Sequence, residues 1–211
     1  MIRTHGIRAL FAALLMLVMA APHAQEFDEG IEYQRITPAQ PTATDKIEVI
    51  ELFWYGCPHC FNFEPHVNAW LRRKPDNVEF TRIPAVFNAQ WALHARAFYT
   101  AEALDVLDRV HGPIFETIHV KKRPLNSEQA LAALFASHGV DEKTFKQTFR
   151  SFAVDAKVRR AADLSQRYQI DGVPALIVEG KYRIEGANAG GLRGMIDVLG
   201  YLIDKEGQAQ N

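Results

Sequence analysis

Cysteine is scarce in this 211-residue chain, which contains only Cys57 and Cys60. Two cysteines this close together cannot cross-link distant parts of a fold. The chain therefore lacks the disulfide framework that stabilises many small secreted domains. All cysteine chemistry is confined to the segment 57–60, and the first question is which chemistry that segment performs.

The chain also lacks basic runs and long apolar runs. Its 24 lysines and arginines nearly balance 25 aspartates and glutamates, and the resulting net charge of -1 argues against a nucleic-acid partner. No apolar stretch reaches the roughly 20 residues that a membrane-spanning helix needs. With 48% hydrophobic residues, the chain is long enough for one large domain or for a domain with an inserted subdomain.

The first 24 residues have the pattern of a secretory signal peptide. Two arginines lie within the first eight residues, the stretch 9–21 is apolar, and small residues at Ala20 and Ala24 offer cleavage sites after residues 20 to 24. An uncleaved membrane anchor is the alternative, but the apolar stretch is short for that role. We expect residues 1–24 to be removed and the mature protein to be exported.

The segment that follows predicts the first part of a sheet. A short edge strand is expected within 31–36, and the mostly β-branched run 46–53 predicts a buried strand. Helical spacing then runs from 58 to 73, with Pro58 in the first turn, and 77–83 predicts a second buried strand. These elements form a βαβ unit, in which the two strands should be parallel.

Helical patterns fill residues 88–153, where no strand pattern occurs. A further helix is predicted at 155–168, then a strand at 175–178, a hairpin turn, a return strand at 181–184 and a last helix at 192–205. The order predicts an α/β fold in which a central mixed sheet flanked by helices is interrupted by an all-helical insertion.

This order also predicts the domain organisation. Residues 25–87 and 154–211 should form one domain around the sheet, because the strands at either end of the chain complete one another. Residues 88–153 should form a helical subdomain inserted between them. No internal repeat is evident.

Cys57 and Cys60 lie where a predicted strand ends and a helix begins, a position that suits redox chemistry. Thiolate is the reactive form of cysteine, and the unpaired N–H groups at a helix N-terminus favour negative charge at Cys57. Its pKa should fall from about 8.5 into the range of roughly 3.5 to 7.5, helped by His59. Cys60, one turn further, should be more buried and less acidic. We expect Cys57 to exchange with the substrate and Cys60 to resolve the intermediate.

Two other roles for the pair are weaker. Half of a structural zinc site would need two more ligands, and the eight histidines contain no His-x3-5-His pair at a strong position. An inert buried pair is disfavoured, because an exported Cys-x-x-Cys at a helix start will oxidise. We therefore expect no metal and no organic cofactor, only a redox-active disulfide between Cys57 and Cys60.

Two short motifs carry a family resemblance: Cys57-Pro58-His59-Cys60 before a helix and Gly172-Val173-Pro174 before a late strand. Together they resemble the thioredoxin superfamily. The Pro-His dipeptide, the helical insertion and the signal peptide make the chain similar to the DsbA-like family, the periplasmic thiol:disulfide oxidoreductases of Gram-negative bacteria. The resemblance covers essentially the whole mature chain. It implies a thioredoxin fold interrupted by a helical insertion.

The resemblance also implies an activity and partners. The protein is expected in the periplasm as a monomer that donates its disulfide to reduced, unfolded exported proteins through a mixed disulfide at Cys57. A membrane DsbB-like, quinone-linked partner would re-oxidise it. A disulfide isomerase or reductase of the same superfamily stays open, although it would usually need a dimerisation module. A non-catalytic peptide-binding chaperone is the alternative from another class.

Several site residues follow from the same resemblance. Pro174 is expected to be the cis-proline that faces the disulfide, with the backbone of Val173 turned outward to pair with an extended substrate. Pro58 and His59 should set how oxidising the pair is. Substrate contacts are expected at Val173, Pro174, His59 and Phe61.

A buried acid–base pair beneath the disulfide is also implied. Glu51 matches the family's acid, since it lies in an apolar strand six residues before Cys57 and a buried carboxylate needs a partner. Arg82 takes the position of the family's lysine, and arginine cannot release its proton at working pH. Glu51 would then be the group that titrates. The alternative is that Glu51 faces solvent at a strand edge.

Other aromatic residues and histidines support weaker expectations. Four aromatic side chains near the pair predict an apolar rim for unfolded chains: Phe53, Trp54, Tyr55 and Phe61. His94 and His119 are expected on helix surfaces.

Overall fold

The structure, a computed structural model, describes residues 26–209, so the predicted signal peptide at 1–24 lies outside the described residues. Within the described residues, five strands form one sheet: β1 (Gln34–Arg35), β2 (Ile47–Phe53), β3 (Val78–Pro84), β4 (Ala175–Val178) and β5 (Tyr182–Glu185). The same part of the chain contains seven helices: α1 (Pro58–Leu71), α2 (Ala89–Ala103), α3 (Leu107–His119), α4 (Glu128–Ser137), α5 (Glu142–Phe149), α6 (Phe152–Arg167) and α7 (Leu192–Ala209). Each predicted strand and helix has a counterpart among these elements.

The sheet is mixed, with strand order β1-β5-β4-β2-β3. β2 and β3 are parallel and joined through α1, which confirms the predicted βαβ unit. The remaining pairs, β2 with β4, β4 with β5 and β5 with β1, are antiparallel. All seven residues of β2 are buried, as expected for a strand that has neighbours on both edges and helices on both faces.

Two hydrophobic cores lie on the two faces of the sheet, and β2 contributes to both. Ile50 and Leu52 belong to the core shared with the helices between β3 and β4, whereas Ile47 and Val49 belong to the core shared with α1 and α7. This division follows from the geometry of a strand, in which successive side chains point to opposite faces. Residue 51 therefore shares the α1 face of the sheet with Ile47 and Val49.

Helices α2 to α6 lie between β3 and β4, and the insertion predicted for residues 88–153 covers α2 to α5 and the first two residues of α6. Polar N-caps define the starts of four of these helices: the side chain of Asn88 accepts two N–H groups in the first turn of α2, and Ser127, Asp141 and Ser151 cap α4, α5 and α6. The limit proposed at residue 153 falls inside α6, so the boundary between the insertion and the sheet domain stays a prediction. Within residues 26–209, no helix is long and apolar enough to cross a membrane.

Candidate active site

The loop between β2 and α1 places the two cysteines. Cys57 is the N-cap of α1 and has extended backbone angles, and Pro58 is the first helical residue, as predicted. The N–H group of Cys57 donates to the Trp54 carbonyl at 2.9 Å, which closes the turn. A Cβ atom on Gly56 would lie 2.3 Å from the Trp54 ring, so a larger residue there would force this ring to shift.

Cys57 has an environment that favours its thiolate. Only 8% of its surface is exposed, and its thiol donates to the carbonyl oxygen of Val173 at 3.3 Å, a contact that by itself favours the protonated form. A hydrogen bond from the Cys60 thiol lowers the pKa of Cys57 to about 6. Burial opposes this shift, while the N–H groups of Cys60 and His59 and the charge of His59 add to it. The direction agrees with the prediction from the helix N-terminus.

Cys60 has the opposite environment. Its side chain has no exposed surface, and burial is the main reason why its pKa lies well above the ordinary value. The neighbouring Cys57 and the charge of Glu51 raise that pKa further. Both cysteines are free thiols in this structure. The predicted difference between an acidic Cys57 and a buried, weakly acidic Cys60 is therefore present in the geometry.

The segment before β4 faces the cysteines from a distant part of the chain. The bond between Val173 and Pro174 is cis, as the resemblance implied. A cavity of about 680 Å³ extends from this bond along β5, and its lining includes His59, Val173, Pro174, Arg183, Glu185 and Leu192. His59 is exposed beside it. The structure thus brings Pro58, His59, Val173 and Pro174 together around Cys57.

Glu51 and Arg82 form an ion pair beneath the cysteines. The two residues are directly opposite in the β2–β3 register, and Arg82 Nε donates to Glu51 Oε2 at 2.9 Å. Glu51 has no exposed surface, so the alternative of a solvent-facing carboxylate is wrong. Burial raises the pKa of Glu51 although the charge of Arg82 opposes the shift. Its second oxygen, Oε1, is buried and has no hydrogen-bond partner among the residues that the structure describes.

The predicted apolar rim is partly wrong. Phe53 and Tyr55 have no exposed surface, because they pack in the core of the helical side, so they cannot contact a substrate. Phe61 and Trp54 are half-buried. Trp54 stacks on Trp91 with ring centroids 4.4 Å apart.

The two histidines expected on helix surfaces are not there. His94 is 3% exposed beneath Trp54, and burial lowers its pKa to about 4. His119 is half-buried, stacks on Phe61 at 5.0 Å and hydrogen-bonds the Tyr55 carbonyl at 2.8 Å. Both expectations are wrong, because the faces of α2 and α3 that carry these histidines pack against the loop before Cys57.

Glu64 and His111 belong to the site although sequence reasoning did not identify them. Glu64 bonds Arg82 at 3.4 Å and His111 at 3.3 Å. Glu64 lies four residues after Cys60, hence on the same face of α1, and that spacing was an available signal. No local pattern marks His111, which comes from the insertion. Within residues 26–209, no group of three or more His, Cys, Asp or Glu residues is placed to hold a metal ion.

Comparison with known proteins identifies the family. Residues 48–190 match the family model of the DSBA-like thioredoxin domain. This chain belongs to the DsbA-like family. The fold is accordingly a thioredoxin fold with a helical insertion, and the protein is a thiol:disulfide oxidoreductase.

Relatives and solved structures are similar to this chain over most of its length. The thiol:disulfide interchange protein DsbA of Pseudomonas syringae pv. tomato is 41% identical over 201 residues, which are 95% of this chain and 94% of that protein. The crystal structure of Pseudomonas aeruginosa DsbA superposes with a TM-score of 0.83 at 39% identity, covering 87% of this chain and 96% of that one. The DsbA structure from Xylella fastidiosa gives 0.80 at 33% identity, covering 87% and 98%.

Proposed function

We propose that this DsbA-like protein is an exported dithiol oxidant that donates a Cys57–Cys60 disulfide to reduced, unfolded proteins in the periplasm. The difference between the two thiols carries this proposal. A Cys57 pKa of about 6 makes this thiolate a good leaving group and stabilises the reduced enzyme, which favours donation of the disulfide. The identity to DsbA proteins of Pseudomonas species supports the same direction.

The exchange proceeds in two steps. A substrate thiolate attacks Sγ of Cys57 in the oxidised enzyme, the S–S bond breaks, and Cys60 leaves as a thiolate. Cys60 then takes up a proton, because its pKa in this site is far above neutral. The second substrate thiol, as thiolate, attacks the mixed disulfide and releases Cys57. The substrate gains a disulfide and loses two electrons, and the enzyme holds them as two reduced cysteines.

The surrounding residues have separate roles in this scheme. Glu51 Oε1, buried without a partner on the α1 face of the sheet, would exchange the proton of Cys60. The backbone of Val173 would pair with an extended substrate beside Pro174, and His59 and Phe61 would contact its side chains. Pro58 and His59 would set how oxidising the disulfide is. The scheme requires no metal and no organic cofactor.

Each turnover leaves the enzyme reduced, so a second reaction must remove two electrons. We assign this step to a membrane DsbB-like partner linked to quinones, and we expect the enzyme to act as a monomer. Export by the predicted signal peptide would bring it to the compartment where both partners are found.

The decisive experiment is the ultraviolet thiolate absorbance of the reduced protein as a function of pH. We expect half of the absorbance change near pH 6. A midpoint near the 8.5 of an ordinary thiol would overturn the oxidant proposal. A second assay compares substrates: the oxidised protein should oxidise a reduced, unfolded protein rapidly and reshuffle a scrambled one slowly. Fast reshuffling would indicate an isomerase instead.

A further inference from the structure

Tyr55 is held at both of its polar ends by one helix of the insertion. Its hydroxyl lies 2.8 Å from Nδ1 of His111, and its carbonyl oxygen lies 2.8 Å from Nε2 of His119. Both histidines belong to α3. Tyr55 itself has no exposed surface and is separated from Cys57 only by Gly56. The loop that carries the exchanging cysteine is therefore tied to the helical insertion at two atoms of one residue.

The chemistry of the partners fixes the direction of these hydrogen bonds. Burial raises the pKa of Glu64, but the hydrogen bond from His111 and the charge of Arg82 outweigh burial and hold it below the ordinary value. An ionised carboxylate only accepts, so Nε2–H of His111 donates to Glu64 at 3.3 Å. In its neutral form, His111 then accepts the Tyr55 hydroxyl at Nδ1. Nε2–H of His119 donates to the Tyr55 carbonyl.

A hydroxyl, an imidazole and a carboxylate in this order also occur in hydrolase triads, where the hydroxyl is the nucleophile. That role is excluded here. Tyr55 is fully buried, and burial raises its pKa well above the ordinary value, so its oxygen is neither accessible nor activated. The arrangement can fix the position of Tyr55 but cannot attack a substrate.

The position of Tyr55 matters because the Cys57 thiolate depends on short contacts. Its sulfur relies on the Cys60 thiol and on the N–H groups of Cys60 and His59. These groups belong to α1, which packs in the sheet domain, whereas Cys57 is the last residue of the loop. A shift of the loop relative to α1 would lengthen these contacts and weaken the stabilisation of negative charge.

We propose that His111 and His119 are positioning residues that set the acidity and the redox equilibrium of Cys57 by holding Tyr55. This inference rests on the proposed function, in which Cys57 is the exchanging thiol. It assigns the insertion a part in the thiol chemistry itself, through α3, in addition to any part in binding unfolded chains.

The test removes each hydrogen bond while keeping the aromatic packing. His119→Phe keeps a ring that can stack on Phe61 and loses the N–H donor. Tyr55→Phe removes only the hydroxyl that His111 binds. We expect each variant to raise the pKa of Cys57, read from thiolate absorbance, by about one unit, which is a tenfold change in proton affinity. Because the reduced protein is then less stabilised, the equilibrium with glutathione should shift towards the disulfide form of the protein.

Three variants show whether the effect on Cys57 comes from the hydrogen bonds to Tyr55. His119→Gln keeps an N–H donor and should restore most of the low pKa. His138→Phe is the matched control, because the ring of His138 also bonds a main-chain oxygen, that of Leu134 in its own helix, at 2.8 Å. Its Cys57 titration should equal that of the unaltered protein. Tyr55→Phe loses one oxygen atom from a packed site, so it tests the His111 contact even where a histidine variant does not fold.

Two negative outcomes are distinguishable. If Cys57 titrates like an ordinary thiol in the unaltered protein, the proposed function fails. If the unaltered protein has the low pKa and both His119→Phe and Tyr55→Phe leave it unchanged, only the positioning role is overturned. A control variant at His138 that shifts as much as the others would also overturn it.

Discussion

Cys57 and Cys60 are separated by less than one turn of α1, yet the two thiols lie in opposite environments. Cys57 caps the helix, where N–H groups and a neighbouring thiol point at its sulfur, and its pKa falls to about 6. Cys60 lies inside the helix against the sheet, where burial raises its pKa well above the ordinary value. Residue type is identical, so the surroundings alone produce the difference.

This contrast explains why only one of the two sulfurs of the disulfide exchanges with substrates. A sulfur that is stable as a thiolate leaves a mixed disulfide readily, whereas a buried sulfur that holds its proton keeps away from substrates. We expect the Glu51–Arg82 pair to affect the proton of Cys60, and the α3 histidines to affect the acidity of Cys57.

The largest expected effect comes from removing one thiol at a time. Cys57→Ser and Cys60→Ser should both reduce the oxidation of an unfolded, reduced protein to the uncatalysed rate. With a substrate protein that already contains a disulfide, only Cys60→Ser should form a stable mixed disulfide, visible on non-reducing electrophoresis, because only Cys57 meets substrate. The Cys57 thiolate attacks the substrate disulfide, one substrate sulfur leaves as a thiolate, and no Cys60 thiol is present to release the complex. A trapped complex with Cys57→Ser instead would reverse the assignment of roles.

Removing the buried acid should act on Cys60 and leave Cys57 almost unchanged. We expect Glu51→Gln to slow the step that protonates or deprotonates Cys60 by on the order of 10²-fold, the low end for a positioned acid–base group. Stopped-flow measurement of mixed-disulfide formation and decay checks this rate. Glu79→Gln, an exposed carboxylate on the neighbouring β3, is the matched control. Equal rates in both variants would contradict a proton-transfer role for Glu51.

The two thiols should affect the stability of the reduced protein in different pH ranges. The pKa of Cys57 is about 6 in the folded state and about 8.5 when unfolded, so the folded state binds fewer protons between these values. The stabilisation from Cys57 is complete above pH 8.5 and is lost as the pH falls to 6. Cys60, with a raised folded pKa, contributes below pH 8.5 and loses that contribution as the pH rises further.

Urea unfolding of the reduced protein and of each serine variant measures these contributions. The stability difference between the unaltered protein and Cys57→Ser should increase with pH from about 6 to 8.5. The difference for Cys60→Ser should change only above about 8.5. If the stability difference between the unaltered protein and Cys57→Ser does not change with pH over this range, folding does not stabilise the Cys57 thiolate.

The smallest expected effect concerns the turn before Cys57. Gly56→Ala places a Cβ atom 2.3 Å from the Trp54 ring, and the required shift should cost about 1–3 kcal/mol of unfolding free energy. Gly112→Ala is the control within α3, where an added Cβ meets nothing within 4 Å and should stabilise the helix by about 0.5–1 kcal/mol. If Gly56→Ala is as stable as Gly112→Ala, the Trp54 contact does not restrict the turn.

Much of the sheet domain and of the cysteine pair was predictable because the signals are local. Strand and helix periods identified β2, α1 and β3. The family resemblance pointed to Glu51 and Arg82, and the structure shows them opposite each other in the β2–β3 register. Pro58 marked the start of α1. The expected acidity of Cys57 followed from its place at that start. The cis bond at Pro174 could be inferred only from family resemblance, since no local rule requires it.

The errors share one physical cause. A helical period shows that α2 and α3 each have an apolar face, but it does not show which distant segment covers that face. His94, His119 and Tyr55 were misplaced for this reason, because the helices pack against the loop before Cys57. Glu64 and His111 were missed because they meet only when α1 and α3 are brought together.

The sequence by itself therefore determined where the reactive pair lies and which sulfur begins the helix, because these depend on spacing along a few residues. Tertiary structure alone decided what surrounds the pair. The contacts of His111 and His119 with Tyr55 span more than 50 positions of the chain. Such contacts depend on how helices pack, and a one-dimensional pattern does not contain that geometry.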